Sequence, residues 1–274
     1  MFPAPVLEKV RRLVTEHFPW DGPRPEGWEA QLAHVRRWLE QETAIYRAVA
    51  TALIARMDPI LAELQQQLPV HERGRLLYRF DDRHVLKTPD SVLEKMARRW
   101  DDLRRQPPID FNNLHELKDL GRFRVVTNFL SDVECICQRL EEPYDATRRG
   151  QLSASQQTLG REFSLQGNRF EDLIAMPHHR RKSGERCRKA HFTSRQPEHR
   201  VFVVEVQLLT VLQEAWDKKD HFLIYERRRA GLMVDARHER LSYSLSEQLY
   251  LADHLFDQLK QDSSRPEAVP GERP

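Results

Sequence analysis

Cysteine is nearly missing from this chain, with three residues among 274. Cys135 and Cys137 stand two apart in a stretch of helical periodicity and point to different sides, and Cys187 is distant. That spacing indicates neither a disulfide framework nor a zinc site. No apolar run approaches the roughly 20 residues of a membrane-spanning helix. The N-terminal MFPAPVLEKV leads into charged residues instead of a signal-peptide apolar segment, so a cytoplasmic protein with no membrane partner is the expectation. Charge imbalance is lacking as well. Lysine and arginine number 44 against 42 acids, a formal +2, so only the local distribution of charge can attract an anionic ligand.

Charge itself is plentiful: 31% of residues are charged and 39% hydrophobic, so the core must be compact under a thickly charged surface. The length fits one large domain with helical attachments. Residues 4 to 17 have the pattern of a short helix, and residues 23 to 27 break it. From Trp28 to Met57 the stripe Leu32, Val35, Leu39, Thr43, Tyr46, Val49 and Leu53 predicts a long helix ending near Pro59, with a second piece from Ile60 to Leu68. Residues 141 to 169 are polar and contain Gly150, Gly160 and Gly167, which reads as a long loop with one hairpin. Near the end, Leu241, Leu245, Leu249, Ala252, Leu255 and Leu259 predict a helix from Glu239 to Lys260, followed by a disordered tail. The chain therefore divides into an N-terminal helical segment (1–75), a core (76–236), a C-terminal helix (237–262) and a tail (263–274).

The strongest chemical signal lies between His199 and Glu226. Val201, Phe202, Val203, Val204 and Val206 predict a buried strand. Alternation sends Phe202, Val204 and Val206 one way and Val203, Glu205 and Gln207 the other, so a carboxylate is aimed at one sheet face. Burying it alone is costly, and a cation, a metal or an arginine should answer it. A helix follows, with Leu212, Ala215, Trp216, Lys219 and Leu223 at helical spacing and Glu214, Asp217, Asp220 and His221 toward the polar side.

Other segments add charge at defined spacing. Residues 76–80 and 84–87 read as extended chain, and Thr88-Pro89 as a helix start. In the helix from Pro89 to Arg105, Val92, Met96, Trp100 and Leu103 form the buried stripe. Ser91, Lys95 and Arg98 form a polar one that, with Lys87 just ahead, can hold a polyphosphate or simply face solvent. In L-K-D-L-G-R-F-R-V-V-T, Asp119 stands before a strand and Gly121 in its turn. Leu130 to Leu140 is helical, with Ser131 or Asp132 as cap. His178 to Lys189 holds six Arg/Lys against one acid and is suited to wrapping phosphates or an RNA backbone, or is an exposed loop.

These segments together resemble the RelA/SpoT synthetase family, which makes (p)ppGpp by moving pyrophosphate from ATP to the 3′-hydroxyl of GDP or GTP. Some of its members are toxins that modify tRNA 3′ ends. The run V-E-V-Q-L-L-T, then Trp216, Asp220-His221 and Tyr225, is similar to the family's E-(I/V)-Q-(I/L)-R-T…W…E-H…Y. V-L-K-T-P-D-S-V-L-E-K resembles its nucleotide-binding segment, matching at Lys87, Ser91 and Lys95. Val85 stands where the family has an ATP-contacting arginine, and Arg83, on the same strand face, is the substitute. The segment L-K-D-L-G-R-F-R-V matches at Asp119 and Arg124, with Arg122 in place of a glycine. The segment around Ala190-His191 matches at Arg188 and His191. Arg186 stands for a glycine there, and Cys187 for the tyrosine that stacks on the acceptor guanine.

The resemblance implies an α+β fold, a mixed, nucleotidyltransferase-like sheet flanked by helices. Asp119 and Glu205 would be the catalytic pair and the ligands of Mg²⁺. Arg83, Lys87, Ser91, Lys95 and Arg124 would bind ATP, and Arg186, Cys187, Arg188, His191 and Gln207 the acceptor. The helices before residue 75 carry no H…HD…D set, so no alarmone hydrolase module is expected. Three readings stand: a synthetase acting on GDP or GTP, a toxin-like enzyme acting on tRNA with an antitoxin as partner, and a non-catalytic nucleotide sensor. Retention of both acids favours an enzyme. A second copy of the chain is a further expected partner.

Overall fold

The computed structural model describes residues 2, 4–68, 70, 73, 78–100, 108–176 and 184–264. Helix α1 (Ala4–Arg12) runs into a π-helical turn, Leu13–His17, as the sequence predicts. Helix α2 spans Trp28–Gln67 without interruption, so Pro59 lies inside it and does not end it. The reason is position. Ala55 and Pro59 both lie on the exposed face, where the carbonyl that proline cannot bond can turn to solvent. The apolar stripe meanwhile continues through Met57, Ile60, Leu61 and Leu64 into the core.

Strands β1 (Tyr78–Asp81), β2 (Gly121–Thr127), β3 (Phe163–Leu165), β4 (Glu171–Asp172), β5 (Arg188–Ser194) and β6 (Val203–Thr210) form one sheet of order β1-β2-β6-β5-β3, with β4 also pairing β5. Among the described residues only β2 and β6 run parallel, which makes the sheet mixed. Residues 84–87 do not form the expected strand; Leu86 makes one isolated bridge to Gly121. Gly121 gives room at that crossing, since a Cβ there would approach Tyr46 Cβ to a tight 3.0 Å.

Helix α3 (Pro89–Arg99) has Thr88 as N-cap, as expected, and residues 101–105 of its predicted extent lie outside the described residues. Helix α4 (Leu130–Glu141) is not capped by Ser131 or Asp132. The Ser131 N–H and hydroxyl instead donate to Asp257 of the last helix at 2.9 and 2.8 Å. Within the segment read as a loop lies helix α5 (Ala154–Glu162), opened by a reciprocal capping box between Ser153 and Gln156. Helix α6 (Val211–Asp220) is followed by a π-helical turn, His221–Tyr225, and helix α7 (Glu226–Arg229). It buries Gln213, Glu214 and Trp216, while Leu223 of the expected stripe is exposed. Thr210 and Gln213 close its capping box, and this fixes its rotation.

One core lies behind the sheet, where Phe123, Val125, Phe192, Val204 and Val206 meet the second half of α2 and Val133 and Ile136 of α4. A second joins α1, the first half of α2 and the apolar face of α3 through Val10, Leu13, Leu39, Val92 and Met96.

Helix α8 (Ala236–Ser264) docks through buried polar groups; the tail from residue 265 lies outside the described residues. The Thr210 hydroxyl donates to Asp253 at 2.7 Å. Burial pushes the Asp253 carboxyl up from 3.8 to about 6, with Thr210 opposing and Asp257 adding to the shift. A folded-state value above the unfolded one means that the folded chain holds the extra proton. This contribution is fully present below about pH 4 and is lost as pH rises through about 6. Folding free energy should fall by roughly 1 to 3 kcal/mol across that window, and Asp253→Asn should flatten the fall in denaturant titrations. An unchanged slope in the variant would assign the effect to other groups.

Candidate active site

Strand register makes the front of the sheet polar. Arg122, Glu205 and His191 stand side by side across β2, β6 and β5. The next row is Asp81, Arg124, Gln207 and Lys189. With α3 on one side and α6 on the other, these rows floor a cleft of about 910 Å³.

Asp119 sits in the turn before β2, and both of its oxygens are held. Lys87 Nζ is 3.2 Å from one, and Lys95 Nζ bonds the other. Burial alone would raise the Asp119 carboxyl, but the two ammonium groups overcome it and bring it down to about 2. Glu205 is almost fully buried. It accepts a hydrogen bond from Gln207 Nε2 at 2.8 Å and lies 3.5 Å from His191 Nε2. Burial raises its pKa, the His191 contact and Lys189 more than offset that, and Asp119 is near enough to push the other way; the net shift is downward. Its predicted partner is therefore an imidazole and a lysine, with no arginine bonded to it among the described residues.

The predicted donor-side residues converge on this cleft: Arg83, Lys87, Ser91, Lys95 and Arg124 all line it. Arg124 donates to Gln207 at 3.0 Å and to Asp217 at 2.5 Å. Arg83 is not on a strand face. It lies in a turn and forms a two-pronged pair with Asp81 at 2.9 and 2.8 Å. Val85, at the family's arginine position, is a core residue whose carbonyl accepts from Arg122 N–H.

The predicted acceptor set separates. Gln207 lines the cleft, and His191 joins it through Glu205. Arg186 does not. It is buried against α8, bonded to Glu247 at 2.7 Å and to the Ile174 carbonyl, with its guanidinium 3.9 Å from the centre of the Tyr250 ring. Arg188 points behind the sheet, to Glu134 and Asp172. Cys187 is buried against Val126 and Leu209, and burial drives its thiol pKa well above 9.0. Arg180, Arg181 and Lys182 of the basic run lie outside the described residues.

Sequence reasoning left Glu185 and Asp81 out of the site and named Lys189 only as one residue of the basic run. Glu185 accepts from Lys189 at 3.3 Å and from Gln207 at 3.3 Å. For Lys189 the signal was available, because alternation along β5 puts it on the face that His191 occupies. For Glu185 none was, since its place depends on the turn at Gly184. A Cβ there would lie 2.4 Å from Trp216 Cζ2.

Fold and cleft together define a class: an α+β protein with a mixed sheet whose cleft is lined by lysines, arginines and carboxylates, Asp119 and Glu205 among them. Similar solved structures include the small alarmone synthetase 1 of Bacillus subtilis bound to its product pppGpp, with a TM-score of 0.57 and 16% identity over 84% of this chain and 100% of that one. Another is small alarmone synthetase 2 of Bacillus subtilis, at 0.54 and 14% over 81% and 98%. A third is the synthetase 1 bound to AMPCPP, at 0.50 and 14% over 84% and 100%. No protein-family model and no curated protein matches the chain. At these identities the likeness establishes the fold, that of the RelA/SpoT-type synthetases. Among the described residues no helix is long and apolar enough to cross a membrane.

Proposed function

We propose that this chain is an ATP-dependent pyrophosphotransferase that moves the β,γ-pyrophosphoryl group of ATP to the 3′-hydroxyl of a guanosine nucleotide. The observation that carries this reading is the convergence of Lys87 and Lys95 on Asp119 beside Glu205. Two half-buried ammonium groups clamped on one carboxylate form a cation pair that polyphosphate oxygens can take over. The bound pppGpp and AMPCPP of the synthetase 1 structures support nucleotides as the ligands.

The donor set also fits Mg²⁺. Among the described residues no cluster of three or more His, Cys, Asp or Glu makes an all-protein cage. Magnesium, however, is commonly held by one or two carboxylates, with nucleotide phosphates and water completing its shell. Asp119 and Glu205 are the residues that would hold it. When bound, the ion would neutralise phosphate charge and lower the pKa of the attacking hydroxyl. Lys87, Lys95 and Arg124 orient and neutralise the donor's phosphates. Glu205, kept ionised by His191 and Lys189, receives the 3′-hydroxyl proton. The ribose oxygen bonds the β-phosphorus of ATP as the bond from that phosphorus to the α-phosphate oxygen breaks, releasing AMP.

Purified protein incubated with γ-labelled ATP, Mg²⁺ and, separately, GDP, GTP, ATP or bulk tRNA should transfer label to GDP or GTP. Label on tRNA alone would change the acceptor to nucleic acid. Label on none of them would leave a nucleotide-binding protein without turnover.

A further inference from the structure

Arg122 stands in the cleft, and the chemistry above does not use it. It lies on β2, an inner strand of the sheet, and the parallel register sets it opposite Glu205, so both side chains leave the same face. Both line the cleft, where Arg122 is half-buried. The cations around it are already answered. Asp119 takes Lys87 and Lys95, Asp217 takes Arg124, and Glu185 takes Lys189. The carboxylates beside it are engaged too, Asp119 by those two lysines and Glu205 by Gln207 at 2.8 Å and His191 at 3.5 Å. Among the described residues the Arg122 side chain has no hydrogen bond or ion pair, while its backbone N–H donates to the Val85 carbonyl at 2.8 Å. A half-buried guanidinium with its donors unused is completed by an anion from outside the chain.

We infer that Arg122 is a further catalytic residue, its guanidinium holding the non-bridging oxygens of the phosphoryl group in transfer. The inference rests on the pyrophosphotransfer reading and deepens it. Position selects the role. Donor phosphates bound by Lys87, Lys95 and Arg124 come in from α3 and the turn before β2, while the attacking hydroxyl stands at Glu205 on the neighbouring strand. Arg122 follows Asp119 by three residues and faces Glu205 across one strand spacing, so it lies where donor and acceptor meet. As the 3′-oxygen bonds the β-phosphorus and the bond to the α-phosphate oxygen breaks, the hydroxyl proton goes to Glu205 and AMP leaves. Arg122 exchanges no proton, because its guanidinium stays charged throughout. It neutralises charge on the β-phosphoryl oxygens, the part that a positioned arginine plays in other phosphoryl transfers. Glycine, which the family carries at this position, offers no such group, and the contact is this chain's own.

Arg122→Ala should lower the single-turnover rate at saturating ATP and acceptor by on the order of 10²-fold. ATP affinity in equilibrium titration should change little, since the contact strengthens only as the new bond to phosphorus forms. The melting temperature should hold, because the side chain bonds nothing within the described fold. Arg122→Lys keeps the charge without the planar fork and should recover only part of the rate. Guanidinium ion, added well below denaturing concentration, should speed Arg122→Gly, which leaves the matching space, and should not speed Asp119→Asn. A folded Arg122→Ala that turns over like the wild type overturns the inference and leaves the proposed function standing. So does one whose loss of ATP affinity equals its loss of rate, which would make Arg122 a donor-binding group. A wild type that transfers label to no acceptor overturns the pyrophosphotransfer reading itself, and the inference with it.

Discussion

Asp119→Asn is expected to lower label transfer by a factor on the order of 10² or more, with a smaller cost to folding of roughly 1 to 2 kcal/mol. Asp119 holds two half-buried lysines, Lys87 at 3.2 Å and Lys95 beside it, and its carboxylate is brought down to about 2 by them against burial. An asparagine of the same shape can accept through one oxygen only. One lysine then loses its anchor, and a magnesium ion loses a charged ligand. Because the cleft is open to water, the released ammonium can hydrate, which keeps the cost to folding small compared with the cost to chemistry. ATP affinity should fall much less than turnover, because the phosphates themselves pair with the lysines. Single-turnover rates and equilibrium titration of ATP, measured on the same preparation, separate the two effects. Wild-type turnover in the variant would remove Asp119 from the mechanism.

The sequence is most legible where side-chain chemistry coincides with a period. The polar stripe Ser91, Lys95 and Arg98 faces the cleft as its i, i+4, i+7 spacing implies, and Glu205 and Gln207 share a face because they are two apart on β6. The same rule should have sorted the β5 residues. Motif matching grouped Arg188 with His191, but an odd separation puts them on opposite sides of a strand, and Arg188 indeed pairs with Glu134 behind the sheet. Pro59 misled for a related reason: the cost of a proline inside a helix is lower where the orphaned carbonyl meets solvent, and exposure is not written in a local window. Helix α5 was legible through its Ser153 and Gln156 capping box but was hidden by a glycine-rich composition. The burial of Arg186 was not legible at all. Its partners Glu247 and Tyr250 lie more than sixty residues away, and no short-range pattern links them.

Cys187→Tyr is expected to destabilise the fold by roughly 3 kcal/mol or more, and to leave the acceptor preference where it was. As a substitute for the family's guanine-stacking tyrosine, Cys187 would be a loss that tyrosine restores. The position says otherwise. The side chain is 1% exposed and packs on Val126 and Leu209. Inserting even a few extra methylenes into a packed site costs about 1 to 3 kcal/mol, and a phenol ring adds far more volume, together with a hydroxyl that needs a partner in a dry site. For a chain of this size that corresponds to a fall in melting temperature of roughly 6 °C or more. Cys187→Ala, which keeps the volume small, should shift it far less, and the pair of variants distinguishes overpacking from loss of the thiol. The aromatic groups that do reach the cleft are Trp216 and Tyr225, with the imidazoles of His84 and His221. Tyr225 and His221 lie with their rings 4.8 Å apart, and a base entering the cleft would meet these before anything at position 187. Differential scanning calorimetry gives the first readout, and label transfer to GDP against ATP as acceptors gives the second. A variant that melts like the wild type and turns toward guanine would place the residue 187 side chain in the cleft and refute the burial described for it.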